Sequence, residues 1–153
     1  MKKHVFLFAI LNIGMCLSAQ NFSVKAKSGD TELDASLNAI NVKAKTDINI
    51  FKKDLSLEFN IGEPKIEKML AIDLSPADVY MTFEIAGLTK KDPDIVLDTY
   101  TKNKDKGWGV IAKEMGIKPG SAEFHALKGK AKNKKDKGNK KGAGKGNGKS
   151  HGK

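Results

Sequence analysis

Between residues 31 and 127 the apolar positions recur every three or four residues, the period of helices that each bury one face. Leu33, Leu37, Ile40 and Ala44 open the series, and Ile48, Phe51, Leu55 and Phe59 continue it in steps of three, four and four. Asp30 or Thr31 can cap the start, with Thr31 and Asp34 at capping-box spacing. The pattern predicts one long helix, or two consecutive ones, ending near residue 59. Residues 55–61, L-S-L-E-F-N-I, also alternate with period two and would suit a half-buried strand. No second strand pattern offers that segment a partner, and an isolated strand leaves its backbone unpaired, so helix is the favoured assignment. Gly62 and Pro64 break the series. Pro64 suits a first helical position, with Ile66, Met69 and Leu70 as a short apolar face. Ser75-Pro76 with Asp78 in the first turn opens another helix. Its V-Y-M-T-F-E-I-A run is apolar nearly all round and belongs at the centre of the fold. Gly87 is expected to close it, with Leu88 folding back. Asp92-Pro93 opens the next helix, whose inner face is Ile95, Val96 and Thr99 or Tyr100, and Lys102 to Lys106 form a polar link.

Residues 104–125, K-D-K-G-W-G-V-I-A-K-E-M-G-I-K-P-G-S-A-E-F-H, gather the only tryptophan with four glycines and a proline. Three readings compete: a loop that cradles a ligand, a DNA-reading helix pair, and punctuated scaffold. Trp108, Ile111, Ala112 and Met115 fall at i, i+3, i+4 and i+7, one helical stripe. Gly116 stands where a helix end needs positive φ, Ile117 can pack back, and Pro119 forbids continuation. Gly120 turns the chain, and Ser121 caps a last helix with Phe124 and Leu127 inward. G-W-G is too short for a phosphate-binding fingerprint, and no strand precedes it. Trp108 either heads this core stripe or, with Lys113, offers a surface contact such as a stacking platform.

These elements predict an all-α fold: a small single-domain helical bundle of about five to seven helices with a disordered C-terminal tail. The chain ends set the boundaries. M-K-K-H, a short apolar run and Ala19 have the layout of a secretory signal peptide cleaved after residue 19. The run is short of the roughly 20 residues a membrane span takes. Cys16, preceded by Met15 rather than a small residue, is a poor lipidation site. It is the only cysteine, so the chain beyond residue 19 has no disulfide, thiolate ligand or cysteine nucleophile. Residues 20–127 form the predicted domain, and residues 128–153 a Lys/Gly-rich tail without a large apolar side chain.

Charge separates along the same line. Residues 128–153 hold 11 lysines and one aspartate, a net of +10, whereas residues 20–127 hold 15 lysines and 17 acidic residues, a net of −2. There is no arginine, so anions must be met by lysine point charges or backbone N–H groups. The candidate polyanion-binding residues are Lys128, Lys130, Lys132, Lys134, Lys135, Lys137, Lys140, Lys141, Lys145, Lys149 and Lys153.

The segments P-A-D-V-Y-M-T-F-E-I-A (76–86) and D-T-Y-T-K-N-K-D-K-G-W-G-V-I-A-K-E-M-G-I-K-P-G-S-A-E-F-H-A-L-K (98–128) resemble a group of exported bacterial helical proteins of uncharacterised function. The resemblance implies a small exported helical domain and brings no activity, cofactor or site with it. More locally, W-G-V-I-A-K-E-M-G-I resembles the first helix and turn of a DNA-binding helix-turn-helix. S-A-E-F-H-A-L would then take the recognition position, although Glu123 and His125 are poor readers of base edges.

No catalytic constellation can be assembled. His125 stands apart from any second ligand or nucleophile. The acidic pairs Asp92/Asp94 and Asp30/Glu32/Asp34 sit at helix starts, where negative charge is favoured. The expectation is a non-enzymatic exported protein, periplasmic or extracellular, with no cofactor and no small-molecule substrate. Its tail would associate with anionic envelope lipids, polysaccharide or extracellular nucleic acid, or would serve only as a solvated end. The alternative is a nucleic-acid-binding protein using the 108–127 helix pair together with the tail.

Overall fold

A computed structural model describes residues 27–137. The signal peptide expected at 1–19, residues 20–26 and residues 138–153 of the expected tail lie outside the described part. Among the described residues seven α-helices follow one another: α1 (Thr31–Thr46), α2 (Ile48–Phe59), α3 (Glu63–Ala71), α4 (Pro76–Thr89), α5 (Pro93–Lys102), α6 (Trp108–Glu114) and α7 (Ala122–Asp136), with one 3₁₀ turn at Lys104–Lys106. The all-α bundle read from periodicity is the fold observed.

Local signals explain most boundaries. Asp30 caps α1, its side chain accepting from the Leu33 N–H. Asp34 does not close a box with Thr31; its carboxylate accepts from the Ser28 N–H at 2.6 Å. Asp47 ends α1 in extended backbone and caps α2 by accepting from the N–H groups of Asn49 and Ile50, so the long apolar series is two helices. The segment that could have been a strand is helical to Phe59, and Asn60 stops it in the left-handed region at φ 51°. Ser75 and Asp78 form a full capping box at α4, and Asp92 caps α5. Gly87 does not close α4. The helix runs through it to Thr89, and Lys90 takes the left-handed cap at φ 54°.

Helix α4 is the axis of the fold, buried on all sides from Pro76 to Ala86. Helices α1, α3, α5 and α7 pack around it, and α6 packs chiefly on α5. Phe59 reaches in from α2 against Tyr80 and Phe83, with ring centroids 6.1 and 5.5 Å away. The expected inner face of α5 is corrected in part: Val96 and Tyr100 are buried, but Ile95 is half exposed.

The largest departure lies at the C-terminal end. The compositional boundary after Leu127 is not a structural one, because α7 continues to Asp136. Phe124, Leu127, Ala131 and Lys134 fall at steps of three, four and three. Leu127, Ala131 and Lys134 are buried and Phe124 partly so, and the stripe lies chiefly along α1.

Candidate functional site

The G-W-G segment is built by close approach of the chain to itself. The Trp108 backbone N–H donates to the Lys27 carbonyl at 2.7 Å. A Cβ on Gly107 would lie 2.0 Å from that carbonyl oxygen, and one on Gly109 would lie 2.0 Å from the Ser28 carbonyl oxygen. Gly107 also holds φ +80°, where side chains are strained. The two glycines therefore let residues 27–28 cross the start of α6, and no ligand is needed to account for them.

Of the two readings of Trp108, head of a core stripe or surface contact, the structure shows the first, with 2% of its surface exposed. Its ring stacks on Tyr100 at a centroid distance of 4.7 Å, and its indole N–H donates to Asp78 Oδ1 at 2.7 Å. The other carboxylate oxygen of Asp78 accepts from the Ser75 N–H and hydroxyl at 3.0 and 2.7 Å. Burial, and then the nearby Asp78 charge, push the Tyr100 hydroxyl well above the usual phenol range. Asn41 Oδ1 adds an acceptor for the Ala77 N–H at 2.8 Å. Thus α1, α4, α5 and α6 meet at one satisfied polar knot around the start of α4. Among the described residues no buried side-chain nitrogen or oxygen lacks a hydrogen-bond partner, and no cluster of three or more His, Cys, Asp or Glu could hold a metal. Lys113, the other expected surface contact, is exposed.

The second assembly is the underside of α7. Lys128 Nζ lies 2.9 Å from Asp30 and 3.0 Å from Glu32. Lys130 donates to Glu84 Oε2 at 2.9 Å, and Lys134 to Glu58 Oε2 at 2.6 Å. Lys132 reaches Glu32 at a looser 3.9 Å. The Glu84 side chain is 3% exposed, and its second oxygen accepts from the Tyr80 hydroxyl at 3.2 Å. Burial, with Glu84 and Glu58 nearby, pushes that phenol far above its ordinary range. The Leu33 N–H bond and then Lys128 hold Asp30 below the usual carboxylate value, and Asp30 and Glu32 raise Lys128 in turn.

Two grooves flank the end of α7. One, of about 610 Å³, runs past Phe59, Glu84 and Gly87. The other, of about 310 Å³, runs past Ile40, Ile50 and Phe51. Lys134 and Lys137 line both.

The candidate lysines therefore divide. Lys128, Lys130, Lys132 and Lys134 belong to ion pairs of the fold. Lys135 and Lys137 make no ion pair among the described residues, and Lys140, Lys141, Lys145, Lys149 and Lys153 lie outside them. The sequence reading missed Glu58, Glu84 and Asp78 as partners, because each pairing joins residues at least 30 apart in the chain.

The helix-turn-helix likeness does not extend to packing. Residues 115–121 separate α6 from α7; α6 lies on α5, whereas α7 lies on α1 and α4. No described helix is long and apolar enough to cross a membrane. Comparison with protein-family models, characterised proteins and solved structures gives no match, so the functional reading rests on this chain's own residues.

Proposed function

We propose that this chain is a non-catalytic exported binding or scaffold protein, held against anionic surfaces or polymers by the lysines at and beyond the end of α7. The observation that supports this most is the division of charge. The stretch from residue 128 carries a net +10 beside a body of net −2. Its first lysines are already matched to Asp30, Glu32, Glu84 and Glu58. The cations left for an outside partner are Lys135, Lys137, Lys140, Lys141, Lys145, Lys149 and Lys153. A lysine close to an anionic surface contributes about 1 kcal/mol, and the attraction fades within a Debye length. Lysine point charges without arginine forks favour partners recognised by charge density: lipid head groups, acidic polysaccharide or nucleic acid backbone.

The test is retention on immobilised heparin and on anionic vesicles, comparing the full chain with one ending at Lys137. That end point keeps α7 and its ion pairs; ending at Leu127 would confuse loss of charge with loss of packing. The full chain should be held at low salt and released as salt rises, and the shortened chain should pass through. Equal retention defeats the proposal. Sequence-dependent duplex binding that survives the shortening would favour the helix-pair alternative instead.

A further inference from the structure

The hold on the second half of α7 is unlike the rest of the core. Beyond Leu127 its buried residues are Ala131 and Lys134, with no large apolar side chain. Gly129 lies within the helix with nothing within 4 Å of an added Cβ, and glycine weakens a helix interior. Grooves open on both sides of the last turns. Seating therefore depends on lysine–carboxylate pairs, chiefly Lys130–Glu84 and Lys134–Glu58.

From this, and resting on the polyanion reading above, we infer that the segment from Gly129 to Asp136 is an electrostatic latch: the body's carboxylates and an external polyanion compete for the same lysines. With no competitor the latch stays shut, because opening would break the Lys130–Glu84 and Lys134–Glu58 pairs, at 2.9 and 2.6 Å, and bare the Phe59 ring with nothing gained in exchange. A dense polyanion that first engages Lys135 and Lys137, which make no ion pair among the described residues, is delivered at high local concentration to Lys134 and Lys130, and can replace both carboxylates. The last two turns of α7 then leave the body, pivoting at Gly129, and uncover the face carrying Phe59 and Glu84. Full engagement of the polyanion and opening of that face are thus one event.

The test uses the full chain, its Glu58→Gln/Glu84→Gln variant and the milder Glu58→Gln, with amide hydrogen exchange and heparin titration across a salt series. In the wild type, saturating heparin should speed exchange of residues 131–136 at least about fivefold while α4 stays protected. The double variant should exchange faster there without heparin. It should also bind heparin more tightly than the wild type at any one salt concentration, because the polyanion no longer has to displace two carboxylates. Glu58→Gln should show half of that change and keep its melting temperature close to the wild type. Unchanged exchange in the variants overturns the latch whatever heparin does. Heparin binding of equal strength in the wild type and the variants, with α7 still protected, overturns the competition and leaves the polyanion proposal standing. Absence of heparin binding by every chain overturns both.

Discussion

Replacing Gly109 by alanine separates helix propensity from packing, because the two predict opposite signs. Gly109 lies in α6 with no positive φ to protect, so propensity alone says alanine stabilises by about 1 kcal/mol. The structure says otherwise. The new Cβ would lie 2.0 Å from the Ser28 carbonyl oxygen, and Ser28 is 7% exposed with little room to retreat. Its N–H donates to the Asp34 carboxylate at 2.6 Å, and the neighbouring Lys27 carbonyl accepts from the Trp108 N–H at 2.7 Å. Pushing residues 27–28 aside weakens a charge-assisted bond of about 1.5–3 kcal/mol and a neutral one of about 0.5–1.5 kcal/mol. Set against the propensity gain, the expected net loss is about 1–3 kcal/mol, at about 4–8 °C in Tm per kcal/mol for a domain of this size. Thermal and urea unfolding followed by circular dichroism would measure it. Gly87→Ala in α4 is the control: nothing lies within 4 Å of its added Cβ, so it should gain up to about 1 kcal/mol. A Gly109→Ala chain melting at or above the wild type would refute the account of G-W-G as a crossing point.

Trp108→Phe keeps the stack on Tyr100 but leaves Asp78 Oδ1 without its donor, and should cost about 2–3 kcal/mol in urea unfolding. Asn41→Ala removes the acceptor of the Ala77 N–H at the buried start of α4, and should cost about 1–3 kcal/mol by the same assay. Both tyrosines are raised chiefly by burial, so the folded form resists ionising them. Stability should therefore fall above about pH 10, where unfolded tyrosine ionises, and tyrosinate absorbance should rise only together with unfolding. Lys128, also raised, loses its contribution in the same direction. Asp30 is lowered, so its contribution is complete above its ordinary value of 3.8 and is lost as pH falls through its folded value. Asp30→Asn should flatten the acid limb of Tm against pH.

Helix starts were the most legible part of this chain, because their signals are local. Asp30, Ser75-Pro76, Asp92-Pro93 and Ser121 all cap the helices that follow them. The turn after α6 was equally plain, with Gly116 at φ +104° and Ile117 buried behind it. Gly87 misled because a glycine near the end of an apolar run reads as a stop, yet a helix anchored by burial of every residue from Pro76 to Ala86 runs on through one exposed glycine. The length of α7 was hidden for a different reason. Its inner stripe ends in alanine and lysine, which carry little hydrophobic signal, and its lysines are held by carboxylates on α1, α2 and α4 that no local pattern connects to them. Trp108 was placed correctly on a helical stripe. What settles its role is Asp78, 30 residues earlier in the chain, which the sequence marks only as a first-turn acid.

The central claim is that an anionic polymer meets the lysines at and beyond the end of α7 and leaves the tryptophan knot alone. A titration of the ¹⁵N-labelled full chain with a short heparin fragment, followed by amide and indole resonances, tests it directly. Resonances from Lys135 onward should move first and those of residues 129–134 at higher ligand, while the single indole N–H, bonded to Asp78, stays in place. Early movement of the indole and of the Gly107 and Gly109 amides, with the C-terminal lysines unaffected, would contradict the account.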